Sequence, residues 1–226
     1  ATVGSVSVHP NNRGQGYMKT LMAMAVEDMA NEQITMSFLS GNRHRYQYFG
    51  YELGGHSLEY KFNKDNFIHT KSKFTLNPLT LTKVSRTDAE LILEIYDVFQ
   101  QQNIHAIRPI EDFYDISTGG YSTLYALRDS DIVVGYLSAH NDTIQEIVLI
   151  DNWNLYSALN TYILFSGCET ITHKIAPYEV DKATAFSSLF ENWSVNVDGN
   201  YRIFDLKGTF QFYLSIKNSY QPLTDG

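Results

Sequence analysis

The chain has 226 residues, enough for one large hydrophobic core or two small ones. A formal charge of −8 and a pI near 5.3 exclude the basic face that a nucleic-acid partner requires. The single cysteine, Cys168, excludes an intramolecular disulfide and a multi-cysteine zinc site, and favours a reducing, cytoplasmic setting.

In chain order, residues 2–8 alternate apolar with small or polar residues and carry three valines, which predicts a strand. Residues 17–30 (YMKTLMAMAVEDMA) hold a broad apolar stripe without Gly or Pro and predict a well-buried helix. Residues 34–39 predict a second strand. A turn and short helix are expected over 40–51, stopped by Gly50, and one or two antiparallel strands over 52–63. Residues 65–78 are polar without periodicity and read as a linker.

A strand over 79–84 and an amphipathic helix over 88–102 open a second unit. A hairpin over 121–128 and 132–140 follows, then a strand over 144–150 and a helix over 155–166. A strand over 171–175 and a helix near 182–190 complete it. The first unit's order matches the last half of this one, so two copies of a related α/β plan are expected, the first incomplete. From Tyr201 the pattern changes and a further element or domain is expected. No apolar run approaches the ~20 residues of a membrane span, and no signal-peptide pattern is visible.

Chemistry concentrates in the segment VSVHPNNRGQGYMKTLM, residues 6–22. The first N–H groups of a helix lack internal partners, and the helix dipole places partial positive charge there. A glycine loop feeding that end lets backbone amides close around an anion, usually phosphate. Gly14 and Gly16 remove side chains that would hold a phosphate away, Arg13 adds mobile charge, and Lys19 lies in the first turn. The alternative is a tight strand-to-helix turn with no ligand. A GK[ST] ending is absent, and the third glycine of a dinucleotide fingerprint is missing.

With its flanking strand and helix, V-x-V-x-P-x-x-R-G-x-G resembles the acetyl-CoA pyrophosphate loop of the GNAT superfamily of N-acetyltransferases. Arg13 and Gly16 fit that family's pattern, whereas Met18 stands where Gly or Ala is usual. One strand later, in RYQYFGYELGG, Tyr46 lies four residues before Gly50, and Tyr51 completes the Gly-aromatic pair. In the family a tyrosine so placed protonates the departing CoA thiolate. A packing role is the alternative in a chain with 16 tyrosines. Met18 and the wording GYMKTLM look most like the multidomain enhanced-intracellular-survival (Eis) type, with truncation at both ends.

The resemblance implies an α/β (α+β) fold of acyl-CoA N-acyltransferase-like mixed sheets flanked by helices. Residues 1–64 would be the C-terminal half of a catalytic domain, 65–78 a linker, and 79–200 a second, degenerate GNAT-like domain. Its counterpart loop, DNWNLYSALN, has neither Arg nor Gly. Residues 201–226 would begin a sterol-carrier-protein-like domain. Acetyl-CoA would be the acyl donor, held by backbone at Val6, Ser7 and Val8 and by Arg13, Gly14, Gln15, Gly16, Tyr17 and Met18. Tyr46 would be the catalytic acid.

The acceptor would be a small-molecule or peptide amine, with a homo-oligomer left open. The general base is unassigned; His9 is one candidate, and residues 42–45 are candidates for the pantetheine channel. The remaining histidines, His56, His69, His105, His140 and His173, show no ligand spacing, so no metal is expected. The competing class is a non-catalytic CoA-binding or scaffold protein with this fold.

Overall fold

The computed structural model describes residues 1–187 and 189–220. In chain order it contains helix α1 (Tyr17–Asn31), strand β1 (Met36–Leu39), single-turn helix α2 (Arg43–Tyr46) and strand β2 (Glu52–Asn63). Helix α3 (Lys64–Thr70), strand β3 (Leu79–Lys83) and helices α4 (Ala89–Gln100) and α5 (Ile110–Ser117) follow. Strands β4 (Thr123–Asp129), β5 (Ile132–His140) and β6 (Thr143–Leu149) lead to helix α6 (Leu155–Ser166). Strand β7 (Thr170–Ile175), helix α7 (Val180–Phe186), strand β8 (Asn192–Ile203) and helix α8 (Leu206–Tyr220) come last. Two compact units result, one of Ala1–His56 with the residues from Val197 onward, the other of Ser57–Asn196.

In the first unit β8 pairs antiparallel with β1, Met36 opposite Ile203 and Leu39 opposite Asn200. The start of the chain meets β1 through one parallel bridge, Thr2 to Phe38. There the Val3 N–H donates to the Phe38 carbonyl, and the Phe38 N–H to that of Ala1, each at 2.9 Å. Pairing then stops, so the strand expected over 2–8 is an extended segment rather than a ladder. Ser5 takes φ 54, which breaks the pleat. Among the described residues, the backbone groups of Val6 and Ser7 make no hydrogen bond. The core of this unit gathers Met22, Leu39, Tyr46, Phe49 and Tyr51, with Val3, Val6, Met18 and Val26 packed against it. Helix α1 is less buried than its apolar composition predicts, with Leu21 and Met24 more than half exposed.

The second unit is a mixed sheet with helices on both faces. Strands β3, β4, β5 and β6 form an antiparallel meander. Strand β6 then pairs parallel with β7 over two residue pairs alone, Thr143–Thr172 and Ile144–His173. Strand β7 pairs antiparallel with the end of β2, from Leu58–Ile175 to Asn63–Thr170. Tyr136 of β5 joins one core with Ile95, Phe99 and Phe113 of α4 and α5, and Val133 joins it because the register with β4 shifts between Val133 and Gly135. Leu137 and Ala139 join the opposite core with Leu155, Leu159 and Ile163 of α6.

Three segments differ from the expected elements. Residues 65–78 carry helix α3 rather than an irregular linker. Asn63 and Asn66 cap it reciprocally at 2.8 and 2.9 Å, and Phe67 is buried in the second unit's core. Helix α5 was not foreseen; it starts after Pro109, places Glu111 and Asp112 in its first turn, and buries Phe113. Strand β8 was also unforeseen, and residues 201–203 finish it before α8 begins.

Candidate functional site

The loop between the unpaired segment and α1 is built by short-range bonds. His9 Nδ1 accepts from the Asn11 N–H at 3.3 Å, and Pro10 opens a single 3-10 turn through Asn12. Arg13 then runs extended, its Nε donating to the Val8 carbonyl at 3.5 Å. Gly14 and Gly16 take φ +81 and +83, a left-handed geometry that disfavours any residue with a Cβ. A Cβ built on either glycine would meet no atom within 4 Å, so both backbones face open space.

Gly16 is the N-cap of α1 and has no side chain to satisfy the first N–H groups, nor is there an acidic residue in the first turn. Uncapped backbone N–H groups of this kind are the chemistry that suits an anion.

A cavity of about 720 Å³ opens against this loop. Val6, Ser7, Val8, Arg13, Gly14, Gly16, Tyr17 and Met18 line it, as do Asn12, Lys19 and Arg45. Of the sequence-predicted donor-site residues only Gln15 is outside the wall. Asn12 was missed, since nothing in its spacing separates it from a turn residue. On a chain of net charge −8 the wall carries three cations, Arg13, Lys19 and Arg45, and no carboxylate. Arg43 is engaged elsewhere, in a 2.8 Å ion pair with Glu52. Lys19 Nζ lies 4.9 Å from the Tyr48 ring centroid, which holds its charge near the loop.

Tyr46 closes α2 and is 6 % exposed, packed within the core of the first unit rather than on the cavity wall. Val6 and Met18, which do line the cavity, pack against that same cluster. Among the described residues the Tyr46 hydroxyl has no hydrogen-bond partner. Asn42 caps α2 by accepting from the His44 N–H at 3.0 Å, and Gly50 ends the following turn at φ 77. Asn42 is therefore a capping residue here, and His9 a capping acceptor for its own loop.

The second unit has a parallel strand pair, and its opening is smaller. Where β6 and β7 part, a cavity of about 230 Å³ is lined by Gln145 to Val148 and by His173 and Lys174. Two backbone acceptors beside it are taken. His173 Nδ1 lies 2.9 Å from the Ile144 carbonyl, and Lys182 Nζ donates to that of Ile147 at 3.2 Å. Arg108 grips Glu146 through two bonds of 2.8 and 3.0 Å. At the start of α6 the Asp151 carboxylate accepts from the Trp153 N–H at 2.9 Å, which puts negative charge where the first unit has Arg13. Burial drives His173 down to about 4, so its ring is neutral at ordinary pH.

Among the described residues no cluster of His, Cys, Asp and Glu could hold a metal ion. No described helix is long and apolar enough to cross a membrane.

Residues 1–54 match the family model of the acetyltransferase (GNAT) domain. No curated protein matches the chain. A conserved protein of unknown function from Enterococcus faecalis V583, described as a probable N-acyltransferase, superposes with a TM-score of 0.63 at 19 % identity. The match covers 91 % of this chain and 54 % of that one. A GCN5-related N-acetyltransferase from Kribbella flavida gives 0.56 at 17 % identity, over 90 % of this chain and 52 % of that one. Eis1 from Mycobacterium abscessus gives 0.54 at 13 % identity, over 92 % and 57 %. The chain thus has the GNAT acyltransferase-like fold and spans about half the length of these structures. The segments that carry the resemblance, residues 6–22 and 45–51, lie within the matched residues 1–54, and the fold agrees with it.

Proposed function

We propose that this chain works within an acetyl-CoA-dependent N-acetyltransferase that acetylates a primary amine by direct attack. The observation that carries the reading is the uncapped N-terminus of α1 at Gly16. It faces a cavity with three cations, no carboxylate and an unpaired backbone edge at Val6 and Ser7. That combination fits a ligand with a pyrophosphate at one end and an amide-bearing arm at the other.

Acetyl-CoA would supply an acetyl thioester, which the amine converts to an amide with release of the thiol. The amides from Gly14 to Met18 would hold the pyrophosphate, with Arg13, Lys19 and Arg45 neutralising its charge. The edge at residues 6–8 would pair with the amide-bearing arm as an added strand does. Positioning of this kind supplies roughly 7–11 kcal/mol of a bimolecular barrier. Tyr46 would give its hydroxyl proton to the leaving sulfur as the C–S bond breaks, a role worth ~10²–10⁴-fold.

We read residues 1–64 as the C-terminal half of the catalytic domain and 79–200 as a second GNAT-like domain without a cofactor loop. The acceptor class is a small-molecule amine, an aminoglycoside-like amine or a lysine side chain.

Thiol release measured against polyamines, aminoglycosides and lysine peptides tests the activity. Turnover with at least one amine is expected, and Tyr46→Phe should lower kcat while acetyl-CoA affinity stays within about twofold. Micromolar acetyl-CoA binding with no turnover on any amine would leave the non-catalytic scaffold as the answer.

A further inference from the structure

The turn that carries Tyr46 is held from a distant part of the sequence. On β8, Asn200 stands opposite Leu39 and is 1 % exposed. Its Nδ2 donates to the Gly41 carbonyl at 3.0 Å and to that of Leu39 at 3.5 Å. Two residues on, the Arg202 guanidinium donates to the Phe49 carbonyl. Gly41 and Phe49 mark the two ends of the turn, so β8 fastens it on both sides of Tyr46.

The fit is close at each end. A Cβ on Gly41, whose φ is +126, would lie 3.1 Å from the Tyr46 ring. One on Gly50 would lie 2.9 Å from the Arg202 guanidinium. The Tyr46 hydroxyl makes no hydrogen bond among the described residues, although the Tyr46 carbonyl accepts from the Tyr51 N–H at 3.4 Å. The direction of the Tyr46 ring is therefore set by packing, against the Gly41 backbone and the core of the first unit.

Asn200 is also a costly choice for a buried strand position. Its Oδ1 has no partner among the described residues, and an apolar side chain would fill the site without that penalty. What the amide supplies is one N–H bond to the Gly41 carbonyl and a longer one to that of Leu39.

We propose that Asn200 and Arg202 are positioning residues for Tyr46, clamping its turn so that the hydroxyl meets the leaving thiolate. This rests on the reading of Tyr46 as the proton donor. Neither residue touches the reacting atoms.

The test uses the full-length protein with acetyl-CoA and an amine that turns over, in Asn200→Asp, Arg202→Lys, Arg202→Met, Tyr46→Phe and Tyr46→Phe/Asn200→Asp. Asn200→Asp removes the donor at constant size, and misplacement by about 1 Å costs on the order of 10²-fold in kcat. That loss is expected in Asn200→Asp and in Arg202→Met, with acetyl-CoA Kd within twofold. Arg202→Lys, which keeps a donor, should recover most of the rate. Adding Asn200→Asp to Tyr46→Phe should cost nothing further.

Unchanged kcat in Asn200→Asp, an additive loss in the double variant, or a parallel loss of acetyl-CoA affinity would overturn the positioning role. So would loss of the thermal unfolding transition in both Asn200→Asp and Arg202→Met, which would make the two side chains structural. If Tyr46→Phe itself keeps full kcat, the proton-donor reading falls and the positioning role falls with it, a pattern distinct from the others.

Discussion

Tyr46 and Tyr51 are both buried and five residues apart, yet their hydroxyls differ. The Tyr51 hydroxyl donates to Ser37 Oγ at 2.9 Å inside the core, while that of Tyr46 has no partner among the described residues. A neutral buried hydrogen bond contributes about 0.5–1.5 kcal/mol, and an acceptor left alone costs more. Tyr51→Phe should therefore lower unfolding free energy by about 1–2 kcal/mol in urea titrations. Tyr46→Phe removes no such bond and should stay within about 0.5 kcal/mol of the parent in the same assay, so its kinetic defect would be separable from stability.

His173 is a second buried ring with a measurable consequence. Burial lowers its pKa to about 4 from an ordinary value of 6.5. The folded state then refuses a proton that the unfolded chain accepts between those two values. Stability from this group is full above pH 6.5 and falls as pH drops toward about 4. The slope cannot exceed about 1.4 kcal/mol per pH unit. Imidazole NMR titration should find one histidine still neutral at pH 5, and His173→Gln should flatten that part of the stability profile.

Among the elements, the loop and the start of α1 were the most legible from sequence. Proline, two glycines and an arginine impose backbone geometry through their own covalent chemistry, independent of distant contacts. Strand β8 was the least legible. Its apolar Trp193, Val195 and Val197 are each more than half exposed, while the residue it buries most fully is Asn200. Alternation there points to the wrong face, and the residues that fix the Tyr46 turn leave no local signal. Segment 65–78 was misleading for a related reason. Helix α3 is short and polar except at Phe67 and Ile68, and it is defined by a reciprocal asparagine cap rather than by periodicity.

Arg13 and Arg43 give an element-scale contrast. Arg13 lines the cavity, whereas Arg43 forms an exposed pair with Glu52, of a kind worth about 0–1 kcal/mol. A charge-assisted bond to phosphate is worth about 1.5–3 kcal/mol. Arg13→Ala should thus weaken acetyl-CoA about 10–100-fold in calorimetric titrations. Arg43→Ala should change affinity by less than about threefold. Equal effects would mean that the loop cation does not face the ligand.

At the scale of the whole molecule, the order of elements was readable well before their pairings. An extended segment, a helix and a parallel neighbour recur in both units, but their openings are treated in opposite ways. In the first, glycines and cations leave it open. In the second, Lys182, His173 and the Arg108–Glu146 pair take up its polar groups, and Asp151 guards the helix start. Sequence alone could show that the second loop lacked Arg and Gly. It could not show that residues as far apart as Arg108 and Lys182 meet at the second opening.

One donor site per chain is therefore expected, in the first unit, despite two similar frameworks. Calorimetric titration of the full-length protein with acetyl-CoA tests this most directly. A micromolar or tighter Kd with one ligand bound per chain, weakened by Arg13→Ala and unaffected by Lys182→Met, is the predicted result. No binding, a second equivalent site, or affinity that survives Arg13→Ala and is lost in Lys182→Met would contradict it.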